Sequence, residues 1–422
     1  MEAAVVDLES VQQAQRRIAP FARRTPLIPS RYLTELAGGN VYLKAEALQH
    51  TGSFKIRGAA NRLALLTPEE RRRGVVAASA GNHGQGVAVV AASLGIDCTV
   101  IMPVGASLAK IQAIKGYGAR VVLHDEPFAH AKAIAEERNL VFIHAFDDPA
   151  VIAGQGTIGL EIVEDLPEVA QVIVPTGGGG LASGVAVAVK TLCPQLRIVG
   201  VQAAAAPAVA QSFHQGKPLS VRPRPTLADG AALAEPGRIT FPLLRRYLDD
   251  IVVVDEEAIA QAIALLLERS KLVAEGAGAL GVAALLRGLA PAASGPTVVV
   301  LSGGNIDISL LARVAEHGLS HAGRYLSIAV GLEDQPGRLA ELLAIISATG
   351  ANVLEVEHHR WGLHLGVGRV QAVLIMEVRD KEHAQQVCSD LESAGYAEVP
   401  REGPEAQRYF LPQGWLDDKD RG

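Results

Sequence analysis

From its start to about residue 320, the chain alternates short, continuous apolar runs with segments whose apolar positions recur at helical spacing. "GVVAASA" (74–80) reads as a buried strand entering a turn, "GQGVAVVAASLG" (84–95) as a helix, and "CTVIMP" (98–103) as a strand stopped by proline. "SLAKIQAIKGYG" (107–118) reads as a helix stopped by glycine and "ARVVLH" (119–124) as a strand. The strand type repeats in "QVIVPT" (171–176), "RIVGVQ" (197–202), "DIVVVD" (250–255) and "TVVVLSGG" (297–304). Strands that are apolar throughout, each followed by a helix, predict an α/β fold with parallel sheets covered on both faces.

The pattern changes after His321. "RYLSIAVGL" (324–332) reads as a strand, "EDQPGR" as a Pro-Gly loop and "LAELLAIISATG" (339–350) as a helix ending at glycine. "ANVLEVEHH" and "RVQAVLIMEVR" read as strands, "KEHAQQVCSDLESAG" as a helix, and a last strand follows. This order, βαββαβ, predicts a ferredoxin-like unit. "EHGLSHAG" (316–323) reads as a short hinge between the two regions.

Composition narrows the function classes. A chain of 422 residues, 49% hydrophobic and 20% charged, holds two or three domains and buries a large core. Its net charge of −6 gives no electrostatic footprint for nucleic acid or an anionic membrane surface. Cys98, Cys193 and Cys388 are scattered and odd in number, so no disulfide framework is expected and a reducing cytoplasm is the expected home. The opening residues carry early acids and no apolar stretch, so no signal peptide is expected. No apolar run reaches the roughly 18 residues of a membrane span.

Four motifs bear on chemistry. In "LQHTGSFKIRGAANRL" (48–63), Lys55 stands behind Gly52, Ser53 and Phe54 at what reads as a helix start. Taken alone it could be a surface lysine. In "VPTGGGGLASG" (174–184), Gly177, Gly178, Gly179 and Gly180 lie between strand and helix, where unobstructed amides make an anion site. A ligand-free glycine turn is the plainer alternative. A dinucleotide would want an acid near the end of the next strand, and Gln202 stands there instead. "SAGNHGQGVA" (79–88) offers Ser79, Asn82 and His83 at a helix start, as an anion site or an ordinary capping turn. "LSGGN" (301–305) places Ser302 at a strand's carboxyl end, a ligand-contacting position or merely a turn. Together, a lysine in small-residue surroundings, a polyglycine anion loop and two polar turns fit a phosphate-bearing cofactor that binds lysine covalently. Pyridoxal 5′-phosphate has those requirements. Burial among apolar neighbours and a helix N-terminus both lower a lysine's pKa and so favour its nucleophilic neutral form.

Over residues about 10 to 320 the sequence resembles the fold-type II, tryptophan-synthase-β-like pyridoxal phosphate enzymes. Within them it is most similar to the threonine ammonia-lyases (threonine dehydratases), on "TGSFKIRGA", "SAGNHGQGVA", "TGGGGLASG" and "LSGGN" in that order. From Arg324, "LEDQPGRLAELLAIISATGANVLEVEHHR" resembles an ACT regulatory domain with its D-x-P-G-x-L loop. The resemblance implies a catalytic domain over 1–320 with a small subdomain at about 50–150, an ACT-like domain over 324–400, and a tail over 401–422.

It also implies roles. Lys55 would carry the cofactor and shuttle the Cα proton. Phe54 would pack on the pyridine ring, and Asn82 would bond the cofactor's 3′-oxygen. Gly177 to Gly180 and Leu181 would cradle the phosphate, and Ser302 would meet the pyridine nitrogen. Ser79, Ala80, Gly81 and His83 would surround the substrate carboxylate. A neutral hydroxyl at Ser302 makes the ring a weaker electron sink, which suits β-elimination of water from L-threonine or L-serine. No metal ligands are expected. The implied partners are an amino-acid substrate and an effector, isoleucine or valine, near Asp334 to Leu339 and Asn352, in a homodimer or homotetramer.

Serine racemases share most of the motifs but carry a second serine where this chain has Ala80, and acidic metal ligands where it has "GVQAAAAPAVA". Cysteine-synthase-type enzymes open the substrate motif with T-S-G-N. Racemase, hydroxyaspartate ammonia-lyase and non-catalytic amino-acid sensor are the alternative readings. Glu275 in "AEGAGAL" lies near the ring or caps a helix. Asp229 and Gly230 resemble a loop near the substrate. His358, His359 and Arg360 read as a solvated strand face, with a metal site the alternative.

Overall fold

The computed structural model describes residues 6–79, 81–321, 323–360, 367–398 and 407–412. The chain divides into two compact units, Met1–Leu311 and Ala312–Gly422.

The first unit holds two sheets. Their strands are β1 (Leu27–Pro29), β2 (Val41–Ala45), β3 (Val75–Ala78), β4 (Cys98–Met102), β5 (Arg120–Leu123), β6 (Val141–Phe142), β7 (Gln171–Pro175), β8 (Arg197–Ala203), β9 (Asp250–Val254) and β10 (Thr297–Leu301). The small sheet runs β5-β4-β3-β6, all parallel. The large sheet runs β1-β2-β10-β7-β8-β9, parallel except for β1 at its edge. The apolar runs form these strands because both faces are covered: every residue of β7 and β10 is buried. Helices Pro149–Asp165 and Gly180–Leu192 pack against the large sheet, contributing Ile158, Ile162, Val185 and Val189 to its core. Burying each such side chain is worth about 1.5–3 kcal/mol.

Behind the helix Lys55–Ala64 lies a buried ionic cluster. The Arg57 guanidinium donates to Glu46 Oε2 at 2.8 Å and to Glu161 Oε1 at 2.6 Å. Lys44 Nζ pairs with Glu161 at 2.7 Å. Two cations and two carboxylates thus compensate one another out of water, tying β2 and the helices Lys55–Ala64 and Pro149–Asp165 together.

The second unit contains β11 (Tyr325–Glu333), helix Arg338–Thr349, β12 (Asn352–His359), β13 (Arg369–Glu377), helix Lys381–Ser393, β14 (Tyr396–Glu398) and β15 (Gln407–Pro412). Its sheet runs β12-β13-β11-β15-β14. Burial alternates along β13, as expected of a sheet with one solvated face. Two details differ from expectation. The stretch read as a hinge is helical through residue 321, within Ile308–His321, because its apolar positions keep helical spacing. The tail read as following the last strand supplies β15, which pairs parallel with β11 and antiparallel with β14 and so separates the first and fourth strands of the βαββαβ order.

Candidate active site

The turn before Lys55 is laced to the end of β10. Phe54 N–H donates to the Ser302 carbonyl at 3.0 Å and Gly304 N–H to the Gly52 carbonyl at 2.9 Å. Ser53 pairs with Gly303 in an isolated antiparallel bridge. The first and last motifs are therefore neighbours by backbone hydrogen bonding. The helix Asn82–Ser93 closes on the helix Lys55–Ala64 through Gly86, where a Cβ would lie 3.1 Å from Ile56 N.

Lys55 opens its helix, and it lines a cavity of about 310 Å³ together with Phe54, Asn82, Gly177 to Leu181, Glu275 and Ser302. Its Nζ donates to the Ala145 carbonyl at 3.1 Å and lies 5.2 Å from the Phe54 ring centroid. Burial pushes its pKa down from 10.5 to about 8, with the Glu275 carboxylate pulling the other way. The positive end of the helix dipole works in the same direction as burial. A neutral amine, the nucleophilic form, is thus reachable near neutral pH.

The glycine turn joins β7 to helix Gly180–Leu192. Gly179 sits at φ +97°, a left-handed conformation that favours glycine. A Cβ at Gly178 would lie 2.5 Å from the Phe146 ring, and one at Gly180 would lie 2.9 Å from the Phe146 carbonyl oxygen. The first-turn amides of a helix have no intrahelical acceptor and carry the positive end of its dipole. The Gly178 carbonyl, which would repel an anion, accepts from Thr240 Oγ1 at 2.6 Å.

Asn82 is held at both ends of its carboxamide. Nδ2 donates to Glu275 Oε1 at 2.6 Å, and Oδ1 accepts from Asn305 Nδ2 at 2.7 Å. Nδ2 keeps a second proton to donate. Glu275 occupies the N-cap position of helix Gly276–Leu286 but its side chain makes no capping bond. The carboxyl turns to Asn82 instead. Burial, with Asp229 adding to it, raises its pKa from 4.5 to about 7. Ser302 is 3% exposed, and its hydroxyl reaches the Ala277 carbonyl only at 3.4 Å, too long for a strong O–H···O bond. It is a buried donor with capacity to spare.

In the turn before helix Asn82–Ser93, Ser79 Oγ accepts from Gly81 N–H at 3.0 Å and Gly84 N–H at 2.9 Å. His83 is buried, and burial first, then Lys55, pulls its pKa from 6.5 down to about 3. The neutral ring donates Nε2–H to the Ile143 carbonyl at 3.0 Å. His83 therefore braces the wall and offers a carboxylate no positive charge. Ala80 lies outside the described residues. Asp229 and Gly230 also line the cavity.

Sequence reading missed three contributors. Lys110 packs on Gly81 and pairs through Nζ with Asp229 at 3.1 Å. Asn305 orients Asn82. The segment His144–Asp147 touches both Lys55 and the glycine turn. The signal for the last was the polar and aromatic cluster "HAFDDP" between a strand and a helix. His359 pairs with Glu357 at 3.0 Å on the exposed strand β12, and Arg360, just past its end, pairs with Asp334 at 3.4 Å. Among the described residues, no group of three or more His, Cys, Asp or Glu is placed to hold a metal ion, and no helix is long and apolar enough to cross a membrane.

An amine of lowered pKa, an anion cradle that side chains would fill and an under-used hydroxyl are what pyridoxal phosphate requires of a protein. Residues 18–303 match the model of the family "Pyridoxal-phosphate dependent enzyme", and the chain belongs to that family. It is 48% identical over 396 residues to the L-threonine ammonia-lyase of Thermotoga maritima, covering 93% of this chain and 98% of that protein. It is 47% identical over 315 residues to the catabolic L-threonine dehydratase TdcB of Escherichia coli strain K12, covering 73% of this chain and 96% of that one. Among solved structures, it resembles the threonine deaminase of T.th. with TM-score 0.66 and 42% identity, covering 72% of this chain and 99% of that one. It also resembles maize serine racemase with TM-score 0.71 and 36% identity, covering 75% and 98%.

Proposed function

We propose that the chain is an L-threonine ammonia-lyase that releases 2-oxobutanoate and ammonia, with L-serine, giving pyruvate, as a second substrate. The observation that carries this is the shared cavity of Lys55, the glycine turn and the Ser302 hydroxyl. Similarity to threonine ammonia-lyases across nearly the whole chain supports it. Pyridoxal phosphate supplies an aldehyde that captures amines and a ring that delocalises the electrons left when a Cα proton departs. Lys55 would hold it and Phe54 would pack on its ring. Asn82 would bond its 3′-oxygen and Ser302 its ring nitrogen, while Gly177 to Leu181 would take its phosphate. Lys55 Nζ, with its lowered pKa, is the base for the substrate's Cα proton. Loss of the β-hydroxyl as water then gives an enamine, whose hydrolysis yields the oxo acid and ammonia. Ser79 and Gly81 wall the carboxylate end. Incubating the enzyme with L-threonine, L-serine and L-threo-3-hydroxyaspartate, with chiral analysis of the residual amino acid, tests this. No oxo acid from threonine or serine, whether serine is racemised or only hydroxyaspartate is deaminated, would overturn it.

The second unit is the regulatory module of this reading. Its support is the βαββαβ order and a pocket of about 350 Å³ beside the Pro-Gly loop, lined by Asp334 to Leu339, His358 and Arg360. An amino acid such as isoleucine or valine is its ligand, in keeping with a place in isoleucine synthesis, and a homodimer or homotetramer is the working assembly. A reducing cytoplasm goes with three cysteines that form no disulfide. Threonine saturation curves with and without isoleucine check the regulatory part, and superimposable curves would refute it.

A further inference from the structure

His144 follows β6 and is caged by three aromatic rings. Phe128, Phe142 and Phe146 meet it edge to face at 5.5, 6.0 and 4.8 Å. Its Nδ1 carries no proton, because it accepts two backbone amides, Phe146 N–H at 3.2 Å and Asp147 N–H at 2.8 Å. Burial holds the ring below the usual histidine range, which keeps that lone pair available.

The three residues that follow each touch a different part of the site. The Ala145 carbonyl accepts from Lys55 Nζ at 3.1 Å. The Phe146 ring is the surface against which Gly178 fits, and the Phe146 backbone and Cβ are the surface against which Gly180 fits. The Asp147 carboxylate accepts from Arg238, Ile239 and Thr240 N–H at 2.9, 2.8 and 3.2 Å. Thr240 Oγ1 in turn donates to the Gly178 carbonyl. One ring nitrogen thus sets the path of a three-residue segment that seats the lysine amine and shapes the glycine turn from two sides.

We infer that His144 is a positioning residue for the cofactor: its Nδ1 lone pair fixes the 144–147 turn and thereby the relation between the Lys55 amine and the phosphate cradle. This rests on the reading of Lys55 and the glycine turn as the cofactor site. Without an acceptor at this position, two amides lose their partner and the turn is free to shift.

Two substitutions separate the lone pair from the ring. His144→Phe keeps the aromatic packing and removes the acceptor. His144→Asn removes the ring and places a carboxamide oxygen where Nδ1 stood. The readouts are equilibrium binding of pyridoxal 5′-phosphate to the apo-protein and the visible band of the bound cofactor, alongside thermal melting. In His144→Phe, affinity should fall about tenfold or more with a displaced band. In His144→Asn, affinity should stay within about threefold of wild type with an unchanged band, even if the protein melts earlier. Wild-type affinity in His144→Phe, or an Asn variant no better than the Phe variant, would overturn the inference. Wild-type protein and Lys55→Ala, measured beside them, report on the cofactor site itself, so failure there is recognised separately.

Discussion

At the scale of single residues, the site is governed by two titrations that burial moves toward neutrality. Lys55 falls to about 8 and Glu275 rises to about 7. Capture of the cofactor's aldehyde needs the neutral amine, so the capture rate of apo-protein should climb with pH through about 8 and then level. An ordinary lysine would keep climbing toward 10.5, and such a profile would refute the burial argument. Because the Glu275 carboxylate holds the Lys55 pKa up, Glu275→Gln should move that midpoint to lower pH. Glu275 also bears on stability. Its folded pKa lies above its unfolded value, so the protonated form stabilises the fold fully below 4.5 and that contribution is lost as pH rises through about 7. The displacement is worth about 3 kcal/mol at most above that pH. Apo Glu275→Gln should therefore melt later than wild type at pH 8 and no later at pH 4.5, which calorimetry at the two pH values checks. Lys55, Asn82 and Ser302 were legible in the sequence because their neighbours were glycines and small polar residues at strand ends. His83 was legible as a site residue but its charge state was not, since the Ile143 carbonyl that takes its Nε2–H is distant in sequence.

At the scale of elements, close approaches set the site. At Gly180 the obstacle to a Cβ is the Phe146 backbone, which cannot rotate away. Gly180→Ala should weaken pyridoxal phosphate binding by about tenfold or more while leaving the far-ultraviolet spectrum unchanged. The lysine helix is held from behind by Arg57. Arg57→Met would leave the Glu46 and Glu161 carboxylates buried with only Lys44 for compensation, at a cost of about 3–5 kcal/mol. A denaturant midpoint unmoved by that change would show that the cluster does not anchor the helix. The long parallel strands were readable from continuous apolar runs, and so were the helices between them. The three-residue β1 and two-residue β6 were not, because neither is long enough to show a period, nor was β2, whose Val-Tyr-Leu-Lys-Ala is interrupted by a lysine that the fold buries. Strand β15 was hidden for another reason: it follows a polar, proline-containing stretch that reads as a tail, and its place comes from pairing with β11 and β14. The buried ion cluster was invisible as well, since nothing in the sequence marks Arg57 or Glu161 as buried.

At the scale of the molecule, the chain has two compact units, Met1–Leu311 and Ala312–Gly422. Relatives such as TdcB of E. coli match 73% of this chain and 96% of their own length, so about a quarter of this chain has no counterpart in them. In the regulatory reading proposed above, the effector would bind the second unit's pocket, which the loop between β11 and helix Arg338–Thr349 lines together with His358 and Arg360. Gly337 holds φ +93° at the start of that helix, a conformation valine strongly disfavours. Gly337→Val should abolish any isoleucine response while leaving the turnover of threonine without effector unchanged. Loss of basal turnover instead would mean that the loop serves folding rather than control.

In the proposed function, Lys55 carries pyridoxal phosphate and drives β-elimination from threonine. The most direct test is the visible absorption spectrum of the purified protein and of Lys55→Ala, followed by addition of L-threonine and assay of the oxo acid. The wild type should show a lysine-linked cofactor band that is lost in the variant, and only the wild type should form 2-oxobutanoate. A band that survives in Lys55→Ala, or a wild-type band with no oxo acid from threonine or serine, would contradict it.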